Sequence, residues 1–265
     1  MPKVIIVVEA SGQGIAASST TGRMVSALTQ AMPAAMPVEV IASNKLQQPD
    51  NFDLGSASIW AQPAGGSSGD TLPQAQDVVI EEVLLCPLTL NLPDTLPFPA
   101  QMVYQACRDV LGLRQRLVQQ LNIGIADGSF WLPVVLTPKG PLYSEVIALS
   151  GEKMSEALSL CNLGYYQPCH FSDASKQQLY QLGHCLLKLL SAPPATYLVQ
   201  FGVQDSDLCF DRLWPFPAAP AIASLGVQEP DLFTCHWYCM TGRSVLELTI
   251  VPPSGGHCAL RRRRG

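Results

Sequence analysis

Charge is scarce in this 265-residue chain: Asp, Glu, Lys and Arg make up only 14% of it, and the acids prevail to give a net charge of −5. A chain with so few bases has no broad face for a phosphate backbone, which excludes nucleic acid as a general partner. Hydrophobic residues reach 48%, and that balance excludes a disordered chain and implies a sizeable core. Long hydrophobic runs are also missing. No window approaches the roughly 20 apolar residues of a membrane span. The apolar run VIIVV (4–8) in MPKVIIVVEA is too short for a secretory signal core. The expected location is cytoplasmic, with no membrane partner. Internal repeats are absent, as are CxxC and HxxxH pairs.

What is present is unevenly spread. Nine cysteines form no spacing framework, so they read as reduced thiols. All four histidines adjoin a cysteine, in Cys169–His170, His184–Cys185, Cys235–His236 and His257–Cys258. Sequence neighbours point apart on a strand or helix, so such pairs rarely share one ion. Buried thiols beside ordinary imidazoles are the simpler reading, and a structural metal is the alternative. Arg261–Arg264 close the chain, either as a solvated tail or as a weak anion contact.

Periodicity predicts an α/β protein. VIIVV (4–8) suits a parallel strand covered on both faces. A glycine- and serine-rich turn (11–22) leads to a helix over 23–32 and a strand over 38–43. Residues 44–76 read as loop, with SIWAQP (58–63) as a short strand. DVVIEEVLL (77–85) reads as a strand ending in Glu81–Glu82, where a crevice would lie. The span 100–121 is helical, with Gly112 as the expected break. FWLPVVLTP (130–138) and PLYSEVIAL (141–149) read as paired strands, and Ser172 or Asp173 caps a helix to 192. TYLVQFGV (196–203) and LCFDRLW (208–214) pair antiparallel, and Asp231 starts a short final helix.

The stretch FDRLWPFPAAPA (210–221) has three prolines, which preset φ and stiffen a loop hung on a strand. Asp211 and Arg212 point to opposite strand faces, so one of them faces the crevice. Asp211 then contacts a metal or ribose, caps the loop, or pairs with a nearby arginine. Glu81 and Glu82 bind ribose hydroxyls or face solvent. Gly12-Gln13-Gly14 reads as a phosphate wrap or an ordinary turn. Arg108–Asp109 reads as a helix ion pair. The aromatics between Trp214 and Trp237 pack the loop, or form an apolar patch for a second copy or a protein partner.

These strings in this order resemble carboxyaminoimidazole ribonucleotide synthase, an ATP-grasp enzyme of purine biosynthesis. DVVIEEV (77–83) is similar to the family's D-V-V-T-x-E strand. QACRDVLGLRQRLVQQLNIGIA (105–126) resembles its helix-turn signature, and YSEV (143–146) its Y-P-V-x-E. LCFDRLWPFPAAPA (208–221) stands where the family has its N-E-x-x-P-R-P-H-N-S-G-H segment. The resemblance implies a Rossmann-like parallel sheet over 1–99 and a helical connection over 100–126. A reduced ATP-grasp lobe with a mixed sheet follows over 127–252, then a basic tail over 253–265. It also implies ATP and Mg²⁺ as cofactors and a nucleotide or phosphoribosyl ligand.

Residue by residue, the resemblance gives Asp211 and Gln200 as the metal positions and Asp211 with Arg212 as the catalytic ones. Gly12, Gln13, Gly14, Glu81, Glu82 and Arg108 become the cofactor contacts. Departures stand beside the match. Gln200 is neutral where the family has an acid, and the P-R-P arginine is replaced by Phe216. Only Gly124–Leu142, with Lys139 as its one lysine, fills the place of the family's ATP-clasping lobe. The expected function is ligand binding without complete carboxylation. An active ligase and a non-catalytic interaction module are the alternatives.

Overall fold

The computed structural model describes residues 3–9, 16–47, 83–150, 164–205 and 207–251. Strand β1 (Lys3–Val8) is apolar from Val4 to Val8, and all five side chains are buried. β2 (Val38–Ala42) and β3 (Val83–Pro87) flank it in parallel, in the order β2-β1-β3. Helix α1 (Thr20–Gln30) links β1 to β2. It begins three residues before the position that periodicity suggests, because the Ser19 hydroxyl accepts the Gly22 N–H at 3.0 Å and caps it.

α2 (Gln101–Arg108) and α3 (Val110–Leu121) come next, and the break between them falls at Asp109, not at Gly112. The Asp109 carboxylate accepts the Gly112 N–H at 2.9 Å and starts the second helix. Gly112 serves that cap, since a Cβ there would lie 2.1 Å from the Asp109 carboxylate.

The second sheet holds β4 (Gly124–Ile125), β5 (Phe130–Thr137), β6 (Gly140–Tyr143), β7 (Val146–Leu149), β8 (Tyr165–Cys169), β9 (Ala195–Gln204) and β10 (Asp207–Trp214). Its order is β4-β10-β9-β5-β7-β8, with β6 beside β5. β4 joins β10 in parallel and the remaining described pairs are antiparallel, so the sheet is mixed. Residues 124–142 are thus used up by β4, β5 and the turn into β6, with Lys139 in that turn beside Gly140 at φ +124°. PLYSEVIAL divides into two strands at Ser144–Glu145, where Ser144 and Gln228 meet the Gln167 amide in a buried polar cluster.

Side chains alternate between two buried layers along β5 and β9, as strand period demands. Leu132, Val134, Tyr197, Val199 and Phe201 pack with α3 and with α4 (Asp173–Leu189), whose cap is Ser172. Trp131, Val135 and Leu198 face the other way, into a cluster shared with β1, β3 and α5 (Leu232–Met240). Asp231 caps α5, accepting the Phe233 and Thr234 N–H groups at 2.8 and 3.1 Å.

The proline-braced loop belongs to this second cluster. Phe216, Ala218, Ala221, Ile222 and Ala223 are buried with Trp237, while Trp214 and Tyr238 are half-buried. Of the two readings of the aromatics between Trp214 and Trp237, loop packing describes Phe216 and Trp237, which are core. Burying a side chain such as Phe216 is worth roughly 1.5–3 kcal/mol, which outweighs leaving it out for a partner. No helix among the described residues is long and apolar enough to cross a membrane.

Candidate functional site

In the order β2-β1-β3 the chain leaves β1 toward one side and returns to β3 on the other. The loops after β1 and β3 therefore part, and open α/β sheets hold ligands in the gap this leaves at the strands' carboxyl ends. Here the gap is a crevice of about 710 Å³. Glu9, just past β1, and Leu88–Asn91, just past β3, form one wall. The opposite wall is the face of the mixed sheet, with Trp131, Gln200, Arg212 and Trp214, and the proline loop adds Phe216 and Ala218–Pro220.

Trp131, Gln200 and Arg212 form one row across β5, β9 and β10, because Gln200 pairs directly with each of the other two. The Gln200 amide is tied at both ends. Its nitrogen donates to the Gly128 carbonyl at 2.6 Å, and its oxygen accepts the Trp214 indole N–H at 2.9 Å. Trp214 is thereby fixed as a platform, and the Arg212 guanidinium lies 5.7 Å from its ring centroid. Arg212 Nε approaches the Asp211 carboxylate at 3.4 Å, and its two terminal nitrogens have no hydrogen bond among the described residues.

Asp211 takes another direction. The β9–β10 register shifts between Phe210 and Arg212, so Asp211 is the extra residue of a bulge, and the residue is only 2% exposed. Arg114 of α3 donates to one of its oxygens at 2.6 Å, and the Gly128 N–H donates to the other at 2.9 Å. Arg114 Nε also donates to the Asp211 carbonyl at 2.8 Å. Hydrogen bonding to Asp127, and then to Asp211, raises the Arg114 pKa above its ordinary value.

Gly128 is the node that joins Asp211 to Gln200. A Cβ on it would meet the Phe201 backbone at 2.0 Å. Gly128→Ala is expected to cost about 1–3 kcal/mol by overpacking, read as a lowered midpoint in urea unfolding.

Arg108 stands at the crevice rim, donating to the Leu92 carbonyl at 2.8 Å and pairing with Asp94. Of the residues that the sequence points to, the structure thus brings Gln200, Arg212 and Arg108 to one crevice. It seats Asp211 behind the same sheet. Gly12, Gln13, Gly14, Glu81 and Glu82 lie outside the described residues, as do SIWAQP (58–63), His257–Cys258 and Arg261–Arg264. The described β3 starts at Val83, and its crevice end is formed by Leu88–Asn91. Sequence reasoning passes over Glu9, although a carboxylate directly after VIIVV is the signal that could have found it. The Thr89 hydroxyl donates to one Glu9 oxygen, and the Asn91 amide donates to the other at 3.1 Å.

A magnesium ion that bridges phosphates needs charged oxygens free to turn toward it. Both Asp211 oxygens are engaged by Arg114 and Gly128, and Gln200 is neutral and tied at both ends. Among the described residues no group of three or more His, Cys, Asp and Glu side chains is placed to hold a metal. This donor set does not fit the ion.

A parallel sheet closing on a mixed sheet, with a crevice at the turning point of the strand order, is the frame on which the site is built. No protein-family model and no curated protein matches the sequence. Solved structures do match the fold. N5-carboxyaminoimidazole ribonucleotide synthetase from Thermotoga maritima aligns over 94% of this chain and 78% of its own, at 7% identity and TM-score 0.57. The Aspergillus clavatus enzyme, solved with ADP and 5-aminoimidazole ribonucleotide, aligns over 92% and 78%, at 8% identity and TM-score 0.55. A Mycobacterium tuberculosis protein described as glycinamide-RNase-transformylase T aligns over 92% and 80%, at 12% identity and TM-score 0.54. The fold is that of the carboxyaminoimidazole ribonucleotide synthases, as the sequence strings imply.

Proposed function

We propose that the protein binds a nucleotide or phosphoribosyl ligand in this crevice and does not carry out the full ATP-dependent carboxylation. The observation that carries this reading is Arg212, set over Trp214 on the wall of the crevice, with terminal nitrogens that have no hydrogen bond among the described residues. A planar guanidinium matches phosphate oxygens in pairs, and indole faces stack on bases. Support also comes from the Aspergillus neighbour, whose crystals contain both a nucleotide and a phosphoribosyl compound.

Carboxylation at the expense of ATP asks for more than a binding wall. It needs metal-held phosphates and a cover that keeps water out. The Asp211 carboxylate is paired with Arg114, and residues 124–142 are taken up by β4, β5, most of β6 and their connections. A partner protein or second copy at Trp214–Trp237 has no support from burial, since Phe216 and Trp237 are core.

AMP is a suitable first ligand, followed by thermal unfolding. At 100 times its dissociation constant a ligand adds about 2.7 kcal/mol to stability. Arg212→Ala removes charge-assisted hydrogen bonds worth about 1.5–3 kcal/mol, so it is expected to weaken AMP binding about 10- to 100-fold. Equal binding by the wild type and Arg212→Ala would count against the reading.

A further inference from the structure

Resting on the crevice reading above, we propose that Glu9 selects ribosyl ligands by accepting hydrogen bonds from their vicinal 2′ and 3′ hydroxyls. Three features of the wall carry this. First, Glu9 sits just past the end of β1, at the turning point of the strand order, and lines the crevice with its side chain exposed. Second, it is held in place, with Thr89 on one oxygen and Asn91 on the other at 3.1 Å. Thr89 is itself anchored, since its hydroxyl oxygen accepts the Asn91 N–H at 3.1 Å. A carboxylate carries about four acceptor sites, so one donor on each oxygen leaves a pair of acceptors side by side. Two adjacent hydroxyls on one ring present two donors at a matching spacing. Third, a carboxylate can accept on both oxygens at once, which an amide or a hydroxyl in its place cannot do.

The competing occupant of a carboxylate is a cation, and the crevice disfavours one. Arg212 and Arg108 stand on the same lining, and their charges repel an ammonium group. The same arrangement sets the ligand's direction. Glu9 repels a phosphate, and Arg212 attracts it, so the ribose lies at the β1 end and the phosphate at the β10 end.

Calorimetric titration of the full chain with AMP and with 2′,3′-dideoxy-AMP separates the claims. The wild type is expected to bind AMP about 10- to 100-fold more tightly than the dideoxy compound. Glu9→Gln keeps the shape but makes one acceptor a donor. It is expected to cut that preference to about threefold or less. Equal wild-type affinities for the two compounds, or an unchanged preference in Glu9→Gln, overturns the role of Glu9 and leaves the crevice reading standing. Failure of the wild type to bind either compound overturns both.

Discussion

Replacing His236 by Gln is expected to flatten the acid end of the stability curve. His236 is buried at 2% exposure on α5, and its Nδ1 accepts the Thr196 N–H at 3.2 Å. That bond places the imidazole proton on Nε2, which has no hydrogen-bond partner among the described residues. A second proton would have to go on Nδ1, breaking the bond to Thr196 and leaving a bare cation in the core. Burial therefore lowers the His236 pKa from 6.5 to about 3.

The direction of the effect follows from proton counts. Above pH 6.5 the imidazole is neutral in both states and stability does not depend on it. Between pH 6.5 and about 3 the unfolded chain takes up a proton that the folded chain refuses, so acid favours unfolding. One proton corresponds to about 1.4 kcal/mol per pH unit, or roughly 4–5 kcal/mol across that window. Urea unfolding at a series of pH values, compared between wild type and His236→Gln, isolates this residue from the carboxylates. Parallel pH curves for the two proteins would contradict it.

Arg114→Met is expected to cost about 3–5 kcal/mol, because it leaves the Asp211 carboxylate buried with its main countercharge gone. The Gly128 N–H at 2.9 Å and Arg212 at 3.4 Å remain, but neither replaces a contact at 2.6 Å. Asp211→Asn in the same chain removes the stranded charge and should recover a large share of the loss. Additive effects of the two changes would show that the pair is not coupled. The pair also decides how Asp211 is used. Were Asp211 a metal position, Arg114→Met would free it and bring Mg²⁺-dependent stabilisation. Stability that Mg²⁺ leaves unchanged is the expected result.

Several elements could be read from the sequence because local chemistry and packing agree there. VIIVV can only be a two-sided strand, Ser172 and Asp231 cap the helices that follow them, and the β9–β10 pair fits its short QDSD connection. Misreadings occur where a side chain overrides the pattern. Asp109 ends one helix and caps the next, which a search for helix-breaking glycine misses. The buried cluster of Ser144, Gln167 and Gln228 interrupts a strand that looks continuous.

The crevice was half legible. Alternation says that Asp211 and Arg212 face opposite ways, but choosing between them requires the register of β10. A bulge at Asp211 resets that register and leaves no mark in the residue pattern. Glu9 needed the strand order, since its importance comes from β1 lying between β2 and β3.

Magnesium dependence goes to the heart of the matter. Calorimetric titration of the full chain with AMP, in EDTA and again in excess Mg²⁺, is paired with a phosphate-release measurement on ATP. The expected result is AMP binding with dissociation constants that agree within about twofold, and phosphate release at background. No AMP binding in either buffer, or Mg²⁺-dependent release at an enzymic rate of about 1 s⁻¹ or more, would contradict it.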